Sequence, residues 1–326
     1  MTKVELLQTE NCGISNMKKI RNSCLLVLTA FIWGVAFVAQ SEGSKAAGPF
    51  SFNGIRNIIA GVFLLVFILL KNMIKAGSAD SQEEKYNKKD LVIGGICCGI
   101  ILFVAGTLQQ LGIDYGAAVG KAGFLTACYI MIVPILGIFL HKKCGINVWI
   151  SVFMAVVGLY LLCIKQKLYL QKCDIILLCG ALFFAVHILV IDYFSPKTDG
   201  VKMACIQFFV CGILNIVPIL IFDAKVFEGK FIDWLLIYRN MEVWYPILFA
   251  GVLSSGVGYT LQIVGQKGLD PTTASLILSL ESVFSVLAGW ILLNQNLSIR
   301  EISGCVLIFA GIILAQIPMK NKKQRQ

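Results

Sequence analysis

The run Thr107-Leu108-Gln109-Gln110-Leu111-Gly112 returns as Thr260-Leu261-Gln262-Ile263-Val264-Gly265, 153 residues later. Gly158 and Gly311 keep the same offset, while Ala30 and Ala181, and Gly61 and Gly212, are separated by 151. A near-constant offset across several apolar segments marks a duplication of about half the chain. Each segment is long enough for a spanning helix, which needs about 20 apolar residues to cross a core of about 30 Å. Ten such segments are read, at 22–41, 50–70, 91–111, 118–140, 147–164, 174–193, 201–222, 244–266, 272–293 and 299–318. The predicted fold is all-α: a polytopic membrane protein whose ten transmembrane helices form two five-helix repeats, 22–164 and 174–318. A segment 1–21 and a basic tail 319–326 flank them. Because five is odd, the second copy enters the membrane from the opposite side, so the repeats are inverted. That plan suits two mirror-related states with a ligand bound between the copies.

Composition excludes a soluble domain. Of 326 residues 58% are hydrophobic, only 14% are charged, and the mean hydropathy is +0.82. Soluble domains carry roughly 25% charged residues. The formal charge of +10 sits in loops and at the ends, which fits topology-setting charge and lipid phosphate as partner, and argues against nucleic acid. With the N-terminus inside, eighteen of the 28 basic residues fall in inside segments and eight outside. The expectation is a cell-membrane protein with both termini cytoplasmic, the bias being carried by the first copy and the two ends. Lys18, Lys19 and Arg21 precede Leu25–Ala39 without an Ala-x-Ala-like cleavage site, so that stretch reads as the first membrane helix rather than a removed signal. Twelve cysteines, most in apolar segments, form no CxxC pair and accompany only two histidines. No metal or cofactor is expected; they read as small packing residues.

Polar groups inside the segments are the candidate cavity residues. Glu281 lies about nine residues into the ninth segment, roughly 13 Å along it, near the midplane. A carboxylate there costs about 2.5–3.5 kcal/mol to insert. It is either a proton-coupling or substrate-contacting group, or a carboxyl that holds helices together. Arg56 and Lys121 lie toward the outer side, either snorkelling to the interface or meeting an anion. Gln207 holds the place of Arg56 in the second copy. Gln109, Gln262 and Ser279 either line a polar pathway or bind helices to one another. Trp33 is a cavity wall or a packing aromatic. His187 is a lone intramembrane imidazole, suited to proton traffic or to a hydrogen-bonded core. Between the seventh and eighth segments, Phe227, Phe231, Trp234, Leu235 and Tyr238 share one helical face, which predicts a helix lying in the interface.

The first segment reads Ala30-Phe31-Ile32-Trp33-Gly34-Val35-Ala36-Phe37-Val38, and the second opens Phe52-Asn53-Gly54-Ile55-Arg56-Asn57. The fourth carries Gly120-Lys121-Ala122-Gly123-Phe124-Leu125-Thr126 and Val133-Pro134. The ninth reads Ser275-Leu276-Ile277-Leu278-Ser279-Leu280-Glu281-Ser282-Val283-Phe284 and ends Leu293-Asn294-Gln295. Over the whole chain these strings resemble the EamA-type members of the drug/metabolite transporter superfamily. The pattern departs at Ser282, where the family has Pro, and at Asn294-Gln295, where it has Gly-Glu; the first departure predicts a straighter ninth helix. The resemblance implies a transporter of amino acids, sugars, nucleotide sugars or other metabolites. The resulting expectation is a secondary transporter moving a small polar metabolite, outward, with the proton as a candidate coupling ion. The competing class is a membrane enzyme or sensor. It lacks HExxH, GxSxG and GxxxxGK[ST] patterns and any loop large enough for a soluble domain.

Overall fold

The computed structural model describes residues 3–76, 86–117, 119–142, 145–163, 171–293 and 298–317. The basic tail 319–326 and the Asn294-Gln295 departure lie outside the described residues. Ten long helical segments run in chain order: α1 (Lys3–Ala47), α2 (Pro49–Ala76), α3 (Lys88–Asp114), α4 (Val119–Ala127 with Tyr129–Phe139) and α5 (Ile146–Cys163). Then come α6 (Lys172–Phe194), α7 (Gly200–Leu214, continuing to Asp223), α8 (Met241–Gln266), α9 (Pro271–Leu278 with Leu280–Leu293) and α10 (Ile299–Gln316). Among the described residues, eight of these are long and apolar enough to cross a membrane, and Ile146–Leu161 of α5 is a shorter apolar helix. Segment 1–21 is not set apart: α1 is one helix from Lys3 onward.

Packing follows the duplication. α2 packs on α7 and α5 on α10, each against its own counterpart, while α1 on α9 is matched by α6 on α4, and α3 on α6 by α8 on α1. The glycine contacts give the same symmetry at single residues. A Cβ built on Gly158 would come within 2.7 Å of the Gly304 carbonyl and the Ile308 side chain, and one on Gly311 within 3.0 Å of the Ser151 carbonyl and 3.6 Å of Ala155. Ser151 and Ala155 are Gly304 and Ile308 moved back by one repeat. Likewise Gly112 meets Leu177 and Gly265 meets Leu26, while Gly61 meets Phe209 and Gly212 meets Ile58. Small residues let helix backbones approach where lipid supplies no hydrophobic push. Gly158→Ala is therefore expected to cost about 1–3 kcal/mol through overpacking, and Gly311→Ala less, because its nearest atom is 0.3 Å farther away. Thermal unfolding in detergent reads the order, and a reversed order refutes it.

Three irregularities shape the interior. α4 breaks at Cys128 and α9 at Ser279, positions 151 apart, and at each break the helix tightens: Met131 N–H donates to Cys128 O and Ser282 N–H to Ser279 O, both at 3.1 Å. α9 is interrupted at Ser279, three residues before Ser282, where the family has Pro, and the Ser282 Oγ donates to Gly123 O of α4 at 3.0 Å. In α8, residues Phe249–Tyr259 are π-helical, a wider winding often found at functional sites. It presents carbonyls sideways: Ser254 O accepts from Trp33 Nε1 at 3.1 Å and Gly258 O from Thr29 Oγ1 at 3.3 Å.

Within the stretch predicted as a helix, residues Phe231–Ile237 form one. Its contact face differs from the expected one. Trp234 Nε1 donates to Ser51 Oγ at 2.9 Å, and Trp234 packs against Phe231 and Tyr238. Leu235 instead points outward with Ile232 and Leu236.

Candidate functional site

The interior cavity draws on both copies. Trp33, Phe37 and Gln40 reach it from α1, Arg56 from α2, Gln109 from α3, and Thr126 and Tyr129 from α4. Phe184 of α6, Ser254 and Tyr259 of α8 and Glu281 of α9 complete the wall. Its volume is about 30 Å³, room for roughly two waters. A metabolite therefore enters only if helices part.

Glu281 is 3% exposed, and its Oε1 accepts from the Tyr129 hydroxyl at 3.0 Å. Both groups lie just past a helix break, where the winding tightens, and their hydrogen bond joins the first turns of the two half-helices. Arg56 is 5% exposed and does not snorkel. Its Nε and Nη2 donate to Asn53 Oδ1 at 3.0 and 2.8 Å, and its guanidinium lies 5.4 Å from the Phe52 ring centre. No ion pair to Arg56 or Glu281 occurs among the described residues. One cavity thus holds a cationic and an acidic side chain that do not neutralise each other in a salt bridge. Gln109 Nε2 donates to Thr126 Oγ1 at 3.2 Å, and the buried Oε1 of Gln40 has no partner among the described residues. Trp33 and Tyr259 pack with ring centres 4.5 Å apart and their planes tilted by 50°.

Four candidates from the sequence, Glu281, Arg56, Trp33 and Gln109, come together here. The other four do not line the cavity. Gln262, the counterpart of Gln109, is buried elsewhere with its Oε1 unpartnered among the described residues. Ser279 caps within its own helix, donating to Leu276 O at 2.7 Å. His187 bonds Gln207 at 2.9 Å and stands edge-on to Tyr259 at 5.9 Å, one layer behind the wall. Lys121 pairs with Asp174 of α6 at 2.8 Å, the carboxylate being 1% exposed, and so neither snorkels freely nor faces the cavity. A second pair, Lys142 with Asp192, ties the same two helices at their other ends. Lys121→Met leaves Asp174 buried without its cation and is expected to cost on the order of 1–3 kcal/mol of stability, less than a fully buried pair because Lys121 is partly exposed. Ligand affinity should stay within about twofold. Thermal unfolding and ligand titration on one sample separate the two effects, and a large affinity loss places Lys121 in the site instead.

Sequence reasoning does not single out Tyr129, Tyr259, Gln40, Ser254, Thr126, Phe37 or Phe184. The two tyrosines do carry a signal: both lie deep in their spans, far from the interfaces where membrane tyrosines collect.

A model of the EamA-like transporter family matches residues 21–164 and again 171–316, once per copy. This chain belongs to the EamA-like transporter family. Relatives agree along nearly the full length. A protein of Archaeoglobus fulgidus described as an uncharacterized transporter is 28% identical, covering 94% of this chain and 89% of its own. The uncharacterized transporter YoaV of Bacillus subtilis is 22% identical, covering 91% and 97%. A crystal structure 14% identical superposes with a TM-score of 0.72 over 91% of this chain and 96% of the other, which shows the shared fold. This EamA-like chain is a multi-pass membrane transporter, and its two copies contribute unequally to the polar part of its cavity. Arg56 and Gln109 line it, whereas their counterparts Gln207 and Gln262 do not.

Proposed function

We propose that the protein is a secondary transporter that moves a small zwitterionic metabolite, such as an amino acid, outward across the cell membrane by alternating access, with both termini cytoplasmic. The supporting observation is that Arg56 and Glu281 line one interior cavity without a salt bridge between them. A carboxylate suits the guanidinium fork, an ammonium suits Glu281, and Trp33, Phe37, Phe184 and Tyr259 offer apolar and cation–π surface to the rest of the molecule. The burial of Glu281 supports a role for the proton, because a buried carboxyl group can exchange a proton for a substrate ammonium as the cavity opens. The inverted repeat supports two access states of similar energy.

Counterflow in proteoliposomes tests the reading. Liposomes loaded with an unlabelled amino-acid mixture should accumulate labelled substrate well above empty liposomes, and cells expressing the chain should release loaded substrate faster. Absence of exchange across a panel of amino acids, other zwitterions and sugars, with protein shown to be inserted and folded, sinks it.

A further inference from the structure

A second and larger cavity, about 670 Å³, opens at the end of the bundle where α1 enters and the α6–α7 and α8–α9 turns meet. That volume lies within the range of sites that bind small molecules. Lys18, Lys19 and Arg21 of α1 line it, with Lys267 from the end of α8. Asp199 is the acidic residue in the wall, and its Oδ1 is already engaged by the N–H groups of Val201 and Lys202 at 2.9 and 3.1 Å. Asn22 ties the Arg21 side chain to the second copy. Arg21 Nε and Nη2 donate to Asn22 Oδ1 at 3.3 and 3.2 Å, and Asn22 Nδ2 donates to Lys267 O at 2.7 Å. The start of α7, at Gly200 and Val201, also borders the pocket and adds the positive end of its helix dipole.

A separate observation points to a ligand. Ser195 lines the same pocket, is 2% exposed, and its hydroxyl has no hydrogen-bond partner among the described residues. Buried hydroxyls are rarely left so. Beside three lysines and an arginine, the group that satisfies a lone hydroxyl donor is an anion with several acceptor oxygens.

We propose that this pocket is a phosphate-binding site, separate from the transport cavity, that takes the phosphate of a lipid headgroup or a soluble phosphate. Arg21 and the lysines neutralise the charge, and the Ser195 hydroxyl donates to one oxygen. Its position at the end of the spanning helices puts it at headgroup level. A bound phosphate joins α1 of the first copy to the α6–α7 and α8–α9 turns of the second.

The test uses the full chain purified in neutral detergent, titrated with dioleoylphosphatidylglycerol, with dioleoylphosphatidylcholine and with inorganic phosphate, and followed by apparent melting temperature and native mass spectrometry. Phosphatidylglycerol is expected to raise the melting temperature and remain bound, with phosphatidylcholine doing so less. Lys19→Gln/Arg21→Gln/Lys267→Gln should weaken binding by at least about tenfold, as loss of several charge-assisted bonds does, and Ser195→Ala by roughly threefold. Should the triple variant not fold, Ser195→Ala and Lys267→Gln alone decide. A variant-sensitive response to inorganic phosphate but not to lipid upholds the site and assigns it to a soluble ligand. Binding unaffected by these substitutions, or equally weakened by Lys88→Gln/Lys89→Gln on exposed positions outside the pocket, overturns the proposal.

Discussion

Replacing Glu281 with Gln is expected to reduce transport at least about twentyfold, equivalent to roughly 2 kcal/mol, while leaving thermal stability equal or higher. The two readings of Glu281 predict opposite patterns. A carboxyl that only holds helices together acts through its bond from Tyr129. Glutamine keeps an oxygen in that place and carries no charge to bury, so a structural role survives the change. A group that releases and takes up a proton, or pairs with an ammonium, does not survive it. Counterflow and unfolding on the same preparation separate the cases. Full transport by Glu281→Gln removes Glu281 from the mechanism. Tyr129→Phe is the milder companion, since it removes the donor but leaves the carboxyl.

The second large effect is expected at Gly34, where α1 crosses α9. A Cβ at this position would stand 2.5 Å from Phe284 Cβ, 2.8 Å from the Glu281 carbonyl and 2.8 Å from Ser285 N. Two of these atoms are backbone and cannot rotate aside. Gly34→Ala should therefore cost about 1–3 kcal/mol and push the Glu281 turn away from the cavity, so transport falls more than stability does. One repeat later stands Ala185, which is fully buried and already carries a Cβ. Ala185→Gly should cost only about 1 kcal/mol and spare transport. Equal losses from both changes contradict the close crossing.

The scaffold is largely legible in the amino-acid sequence. Spacings of 151 and 153 residues announce the duplication, and the Gly158, Gly112 and Gly61 contacts fall on the seams those spacings imply. Helices stand where the ten apolar stretches are read, although among the described residues only eight are long and apolar enough to cross a membrane. The cavity is legible only in part, and the reason is physical. Periodicity and charge reveal that Glu281 or Arg56 is costly in a membrane; they do not reveal which way a helix is turned. Lys121 finds Asp174, a residue 53 positions away, and no spacing rule connects them. Breaks at Cys128 and Ser279, with the π-helical stretch of α8, rotate Tyr129, Tyr259 and Ser254 inward. None of these irregularities is marked by a proline at the break itself.

The paired glycine contacts also have a consequence for how the molecule holds together. Gly158 touches in the second copy what Gly311 touches in the first, which is the signature of an isologous, two-fold dimer interface. Each half of the chain is thus a protomer whose natural partner is the other half, and the chain between Cys163 and Gln171 tethers the two. Sharing one chain makes docking of the two halves an intramolecular event. Association is then limited by insertion and docking within one chain rather than by encounter between two, and cutting the tether would convert a folding step into a concentration-dependent assembly.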